Sequence, residues 1–67
     1  MPVIIFEAGN KMTLEKKREL IRELTDAAVR VTGLGAPAFT IYIHENPHDN
    51  IGVGGELLTE ILARQQS

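Results

Sequence analysis

Two short runs of β-branched and aromatic residues flank one long amphipathic segment, and this order restricts the fold more than any other feature of the sequence. The runs cover residues 2–7 (PVIIFE) and 38–44 (AFTIYIH), and both are typical of β-strands. A strand–helix–strand crossover favours two parallel strands in one sheet. Between the runs, apolar residues recur at the three- and four-residue spacing of one helix face: Leu14, Leu20, Ile21, Leu24, Ala27, Ala28 and Val31.

Residues at both ends of the amphipathic segment predict where its helix begins and ends. Thr13 is a suitable N-cap, and Glu15 lies in the first turn, where the helix dipole favours a carboxylate. Gly33 and Gly35 end the helix, and Pro37 prevents its continuation. The opposite face is charged and is expected to be solvated: Lys16, Arg18, Glu19, Arg22, Glu23, Asp26 and Arg30.

The C-terminal third predicts a turn, a short hairpin and a short helix. Residues 45–50 (ENPHDN) are turn formers, and the glycines of GVGG (52–55) indicate a turn with positive φ or a close backbone approach. GVGG lacks both the Lys–Ser/Thr pair and the G-x-G-x-x-G spacing of phosphate loops. ELLTEILAR (56–64) has helical spacing. The predicted fold class is therefore α+β: a β-α-β unit with two parallel strands, then a short hairpin and a short helix.

The size of the chain predicts self-association. We expect its 67 residues to form one domain, residues 1–67, and a domain this small is marginally stable alone. It contains no Cys, which removes disulfides and thiolate metal sites. Two strands are also too few to bury both faces of a sheet.

The net charge and the hydropathy of the sequence indicate where the protein is located and which partners it does not bind. A net charge of −2 gives no basic surface for nucleic acid. No apolar run approaches the roughly 20 residues of a membrane span, and the N-terminus lacks the features of a secretory signal. We expect a cytoplasmic protein that binds neither nucleic acid nor membranes.

One stretch, HENPH at residues 44–48, matches the H-E-x-x-H pattern of zinc proteases. That chemistry requires both histidines one turn apart on a helix. Pro47 would break such a helix directly before His48, and the stretch follows a predicted strand. A turn is therefore favoured, and no metal site is predicted. The carboxylates of Glu7, Glu45, Asp49 and Glu56 are not paired by any spacing.

Pro2 has two interpretations. Proline is common as the first residue of a strand, and from the residues alone this is the more frequent explanation. If Met1 is removed, however, Pro2 carries a free amine, and such amines titrate at about 7.7–8.0. Burial among Val3, Ile4 and neighbouring apolar residues would lower this pKa and yield a general base near neutral pH. With Met1 attached, the same nitrogen is an amide and cannot be a base.

The whole chain resembles the 4-oxalocrotonate tautomerase family. The resemblance rests on MPVII at the start, TLEKKRELI at the predicted helix, IHE at the end of the second strand and NIGVGGELL. It implies a hexamer built as a trimer of dimers, with Pro2 as the catalytic base after loss of Met1. It also implies an isomerase that interconverts enol and keto forms of small unsaturated 2-oxo acids, such as 2-hydroxymuconate of aromatic catabolism, without cofactor or metal.

The chain departs from the family at the positions that would bind substrate. One family arginine aligns with Met12, beside Lys11, and the other aligns with Thr40, while the family's aromatic residue aligns with Ile51. Lys11 can bind a carboxylate as a point charge, whereas Thr40 offers one donor and no charge. Ile51 can keep the pocket dry. The predicted substrate-binding residues are therefore Lys11, Thr40 and Ile51.

The missing arginines leave three functions open. The first is a tautomerase, and the second is another proline-based enzyme that performs hydration, dehalogenation or decarboxylation. The third is a non-catalytic or partner-dependent chain of a mixed hexamer, whose other chain supplies the arginines. Tyr42 and His44 share the strand face of Thr40 and are candidate donors, although sheet-surface roles are more common for such residues.

Overall fold

The computed structural model describes residues 1–66 and confirms the predicted α+β class. The strands β1 and β2 form a two-stranded parallel sheet, and β3 and β4 form an antiparallel hairpin. Within residues 1–66, neither helix has the length and apolar character that a membrane span requires. The elements are β1 (Val3–Ala8), α1 (Leu14–Thr32), β2 (Thr40–Glu45), β3 (Gly52–Val53), β4 (Glu56–Leu57) and α2 (Leu58–Gln65).

Both predicted ends of α1 are confirmed. The Thr13 side chain accepts a hydrogen bond from the Lys16 N–H at 3.2 Å, which satisfies one of the free amides of the first turn. At the other end, Gly33 adopts φ 80°, and its N–H donates to the Val29 carbonyl at 2.9 Å. Glycine reaches this left-handed conformation without a steric penalty.

Two elements, β2 and α2, begin two residues later than predicted. Residues Ala36–Ala38 form a short 3₁₀ turn, closed by the Phe39 N–H on the Ala36 carbonyl at 3.1 Å, so β2 begins at Thr40 and not at residue 38. The final helix begins at Leu58, since the two residues before it pair with β3. Gly54 and Gly55, at φ 62° and 88°, form the predicted turn with positive φ.

The two faces of the parallel sheet differ in their exposure. Ala8 is 6% exposed, and its register partner Glu45 reaches Lys17 of α1, so this face is turned toward the helix. On the opposite face, Ile5 and its partner Tyr42 are 57% and 52% exposed. We call this surface the open face; it consists of Val3, Ile5, Glu7, Thr40, Tyr42 and His44.

The isolated chain buries little apolar surface. Its radius of gyration is 15.8 Å, whereas a compact chain of this length has about 11 Å. Its accessible surface is 5209 Å², against about 4,200 Å² for a globular monomer of this mass. Within residues 1–66, Ala8 is the one buried apolar residue, and Leu14 and Val31 of α1 are largely exposed. The chain therefore presents apolar surface that a partner would cover.

Candidate active site

Pro2 and Thr40 lie side by side at the amino end of the parallel sheet. The Pro2 carbonyl accepts the Thr40 N–H at 3.2 Å, and Thr40 is the register partner of Val3. Pro2 is half-buried, and its nitrogen forms the peptide bond to Met1, which is 92% exposed. The fold therefore brings together two of the four predicted site residues.

Lys11 and Ile51 lie at the carboxyl end of the same sheet. Lys11 follows β1, in the loop that leads to α1. Ile51 reaches this loop, because a Cβ placed on Gly9 would lie 3.6 Å from Ile51 Cδ1. The backbone of Ile51 is fixed by hydrogen bonds to His48 and Leu58. An aliphatic side chain is thus held close to the segment that carries Lys11.

The two pairs of predicted residues lie far apart within one chain. The six residues of β1 separate Pro2 from the loop of Lys11, and a strand of that length spans about 20 Å. Thr40 is beside Pro2, whereas Ile51 is beside the loop of Lys11. A small acid therefore cannot contact all four residues of a single copy.

An open groove of about 460 Å³ lies where β1 and β2 end. We call it the strand-end groove; it is lined by Gly9, Asn10, Lys11, Glu45, Asn46, Pro47 and His48. The carboxyl ends of parallel strands are a frequent place for ligands, because the loops that follow neighbouring strands converge there. The groove joins the Lys11 loop to the end of β2.

Glu45 links β2 to both the loop and the helix. Its Oε2 accepts the Met12 N–H at 2.7 Å, and its Oε1 accepts Lys17 Nζ at 2.8 Å. The hydrogen bond from Lys17, followed by that from Met12, lowers the pKa of the Glu45 carboxyl below its ordinary value of 4.5. Sequence reasoning missed these partners, although Glu45 shares the alternation of Ile41 and Ile43 and so points toward α1.

A second polar cluster occupies the open face. His44 Nδ1 lies 2.8 Å from Glu7 Oε2, and Asn46 Nδ2 donates to Glu7 Oε1 at 3.0 Å. The bond from Asn46, and then that from His44, lowers the pKa of the Glu7 carboxyl. The rings of Tyr42 and His44 are 6.2 Å apart. His44 is therefore engaged with Glu7, at the far end of β2 from Thr40.

The histidines of the HENPH stretch are not one helical turn apart. His44 belongs to β2, and His48 begins a 3₁₀ turn after Pro47. Within the described part of the chain, no three side chains of His, Asp or Glu lie together in a way that would hold a metal ion.

Acid is expected to destabilise the fold partly through Glu45. A carboxyl whose pKa is lowered on folding adds stability above its unfolded pKa and loses it as the pH falls through the folded value. Stability should therefore decrease below about pH 4.5, and the decrease should be smaller for Glu45→Gln. Thermal unfolding followed by circular dichroism from neutral to acidic pH measures both. Glu23→Gln, on the charged face of α1, serves as control, and equal losses in all three proteins would contradict the expectation.

Comparisons with known proteins extend over nearly the whole chain. The sequence profile of the family described as "Tautomerase enzyme" matches residues 2–61. A protein of Streptococcus pneumoniae named a probable tautomerase is 33% identical over 60 residues, which cover 90% of this chain and 100% of that protein.

Solved structures agree with the sequence comparison. DmpI from Archaeoglobus fulgidus is 45% identical and superposes with a TM-score of 0.77, covering 87% of this chain and 98% of that chain. A 4-oxalocrotonate tautomerase homologue is 32% identical with a TM-score of 0.80, covering 90% and 95%. Sequence and backbone are therefore shared from the first strand to the second helix.

Proposed function

This chain belongs to the tautomerase family, and we propose that it is a cofactor-independent isomerase acting on a small unsaturated 2-oxo acid. The reaction moves a proton between the enol and keto forms of that acid. The observation that carries the proposal is Pro2, which lies at the head of β1 and is the first residue of the family match. Removal of Met1 would turn its nitrogen from an amide into a secondary amine.

Pro2 then serves as the general base. A half-buried amine beside apolar residues has a lowered pKa, because burial disfavours its charged form. In its neutral form it removes the proton of the enol hydroxyl, and the resulting ammonium delivers that proton to a carbon of the enolate, which gives the keto acid. In the reverse direction it removes the proton alpha to the substrate carbonyl. We assign to the Thr40 side chain, on the neighbouring strand, the role of donating a hydrogen bond to the developing enolate oxygen.

Lys11 and Ile51 complete the site from a second copy of the chain. Within one copy they lie about 20 Å from Pro2, so two copies are needed to surround one substrate. Lys11 binds the substrate carboxylate as a point charge, and Ile51 excludes water from the amine. We place these copies in a homohexamer, a trimer of dimers. The exposed apolar surface of the chain supports an assembly of this kind.

The test of the proposal is turnover of 2-hydroxymuconate and phenylenolpyruvate by the purified protein. Intact mass, measured on the same sample, reports whether Met1 is present. We expect ketonisation well above the rate in buffer, from protein that has lost Met1. Protein without Met1 that converts neither enol would overturn the proposal.

The residues Met12 and Thr40 favour a second candidate, because the family resemblance implies an arginine at each of these positions. Without guanidinium groups, the same proline could act on a different class of acid by hydration, dehalogenation or decarboxylation. A panel of halogenated and keto acids separates this candidate from the first. A co-purifying chain that carries arginines would instead indicate a mixed hexamer.

The assembly gives a separate prediction about the open face. Native mass spectrometry should find six copies of the 7.4 kDa chain, about 44 kDa in total. Ile5→Asp should lower this mass to that of dimers or monomers, since burying an unpaired carboxylate is strongly unfavourable. Gln66→Asp adds the same charge at an exposed position. This variant should still give the mass of six copies. A hexamer of Ile5→Asp would show that the open face is not an interface.

A further inference from the structure

Lys11 and Glu45 line the strand-end groove, and Lys17 of α1 pairs with Glu45. Lys17 Nζ lies 2.8 Å from Glu45 Oε1, with the two side chains about one third and one quarter exposed. Lys11 lines the same groove and interacts electrostatically with Glu45. Among residues 1–66, however, Lys11 has no hydrogen-bond or ion-pair partner. Glu45 is therefore paired with Lys17, whereas the Lys11 side chain lines the groove without such a partner among residues 1–66.

Glu45 also fixes the loop that carries Lys11. Its Oε2 accepts the N–H of Met12 at 2.7 Å, and Met12 directly follows Lys11 in the chain. A hydrogen bond from a backbone amide to a carboxylate is among the stronger ones. The next residue, Thr13, caps α1. The backbone is thus held on the C-terminal side of Lys11, which sets the point from which that side chain enters the groove.

The ion pair with Lys17 determines what Lys11 is able to bind. Without a partner, the Glu45 carboxylate would attract a nearby ammonium group. The Lys11 ammonium interacts electrostatically with this carboxylate. Lys17 occupies one oxygen of Glu45, and Met12 occupies the other. The negative charge of Glu45 is thus compensated by Lys17, so Lys11 does not form an ion pair with Glu45. The remaining titratable group that lines the groove is His48.

We propose that Glu45 and Lys17 are positioning residues for Lys11. Glu45 holds the loop, and Lys17 prevents Glu45 from pairing with Lys11, so that Lys11 binds the carboxylate of the substrate. This inference rests on the proposed function for the nature of the substrate, but the positioning of Lys11 is measurable without turnover.

A double-substitution series tests the positioning through kinetics. Lys17→Met should raise KM for 2-hydroxymuconate about tenfold, with kcat near the wild-type value, because Lys11 is diverted to Glu45. Glu45→Gln should raise KM by less than Lys17→Met does, since the amide oxygen still accepts the Met12 N–H and the side chain carries no charge that would pair with Lys11. The double variant Lys17→Met/Glu45→Gln should have a KM close to that of Glu45→Gln and well below that of Lys17→Met.

A purely structural ion pair predicts a different pattern. In that case the double variant would be at least as impaired as Lys17→Met, and the positioning would be excluded. Lys16→Met is the matched control, because Lys16 is an exposed lysine one residue earlier on the same helix. If Lys17→Met does not fold, as judged by circular dichroism, Lys17→Gln removes the same charge while keeping a polar side chain.

Chemical labelling gives the readout that is independent of turnover. The rate at which Lys11 is acetylated by sulfosuccinimidyl acetate can be followed by peptide mass mapping. Pairing with Glu45 in Lys17→Met should slow this rate several-fold, and the double variant should restore it. Slower acetylation in Lys17→Met and recovery in the double variant, in a protein without tautomerase activity, would support the positioning and reject the proposed function. Tautomerase activity with an unchanged acetylation rate and KM in Lys17→Met would reject the positioning alone.

Discussion

Substituting Pro2 by Ala is expected to lower kcat/KM for 2-hydroxymuconate by about 100-fold or more, within the range that a placed general base contributes. The variant retains an N-terminal amine, but this amine is primary and lacks the ring that fixes the backbone. Both changes displace the base from the substrate carbon. Equal kcat/KM values for the two proteins would show that Pro2 is not the base.

Two controls separate the chemistry of Pro2 from its place in β1. A Pro2→Leu chain should keep Met1, since a large second residue blocks removal of the initiator, and its second nitrogen is then an amide without a basic lone pair. It should lose the whole general-base contribution of about 10²–10⁴-fold. The pH dependence gives a further check. In the wild type, kcat/KM should rise with pH through the pKa of the free amine and then level off, because only the neutral amine accepts a proton.

Co-expression of a Pro2→Ala chain with a Lys11→Ala chain is expected to restore activity that neither chain has alone. The two residues lie at opposite ends of β1, so in the proposed two-copy site they would come from different copies. In randomly mixed oligomers of equal composition, about a quarter of the sites receive both intact residues. Steady-state assays on hybrids isolated through two different affinity tags measure the recovery.

The matched control for this experiment is a mixture of Pro2→Ala and Thr40→Ala chains. Pro2 and Thr40 are neighbours joined by a backbone hydrogen bond, so in the proposed site one copy would supply both. No mixed site can then have both residues intact, and activity should not exceed that of the separate variants. Recovery in the control, or none in the Lys11 mixture, would contradict the two-copy site.

Local signals in the sequence predicted most of the secondary structure. The cap at Thr13, the stop at Gly33 and the positive-φ glycines depend on residues within one turn of the chain, and each was predicted correctly. The start of β2 was predicted two residues too early. Alternation at residues 38–44 continues the strand pattern, whereas the hydrogen bonds that close the preceding turn around Pro37 are not visible in that alternation.

Contacts between distant parts of the sequence were harder to predict in the candidate site. The partners of Glu45 are 28 and 33 residues away, and they depend on the register of β1 and β2, which no local pattern encodes. The family resemblance named Pro2, Lys11, Thr40 and Ile51, but it did not say that one chain separates them. That separation follows from the topology, because Pro2 precedes a six-residue strand and the Lys11 loop follows it.

The near absence of buried apolar residues has a consequence for how the protein behaves in a cell. Within residues 1–66, Ala8 is the one buried apolar residue, so in the proposed homohexamer the free energy of folding would come largely from contacts between copies. The stability of the fold then depends on the concentration of the chain, since mass action couples folding to association. At low expression the newly made chain would remain open to proteases. Catalytic output would therefore rise more steeply than the amount of protein synthesised.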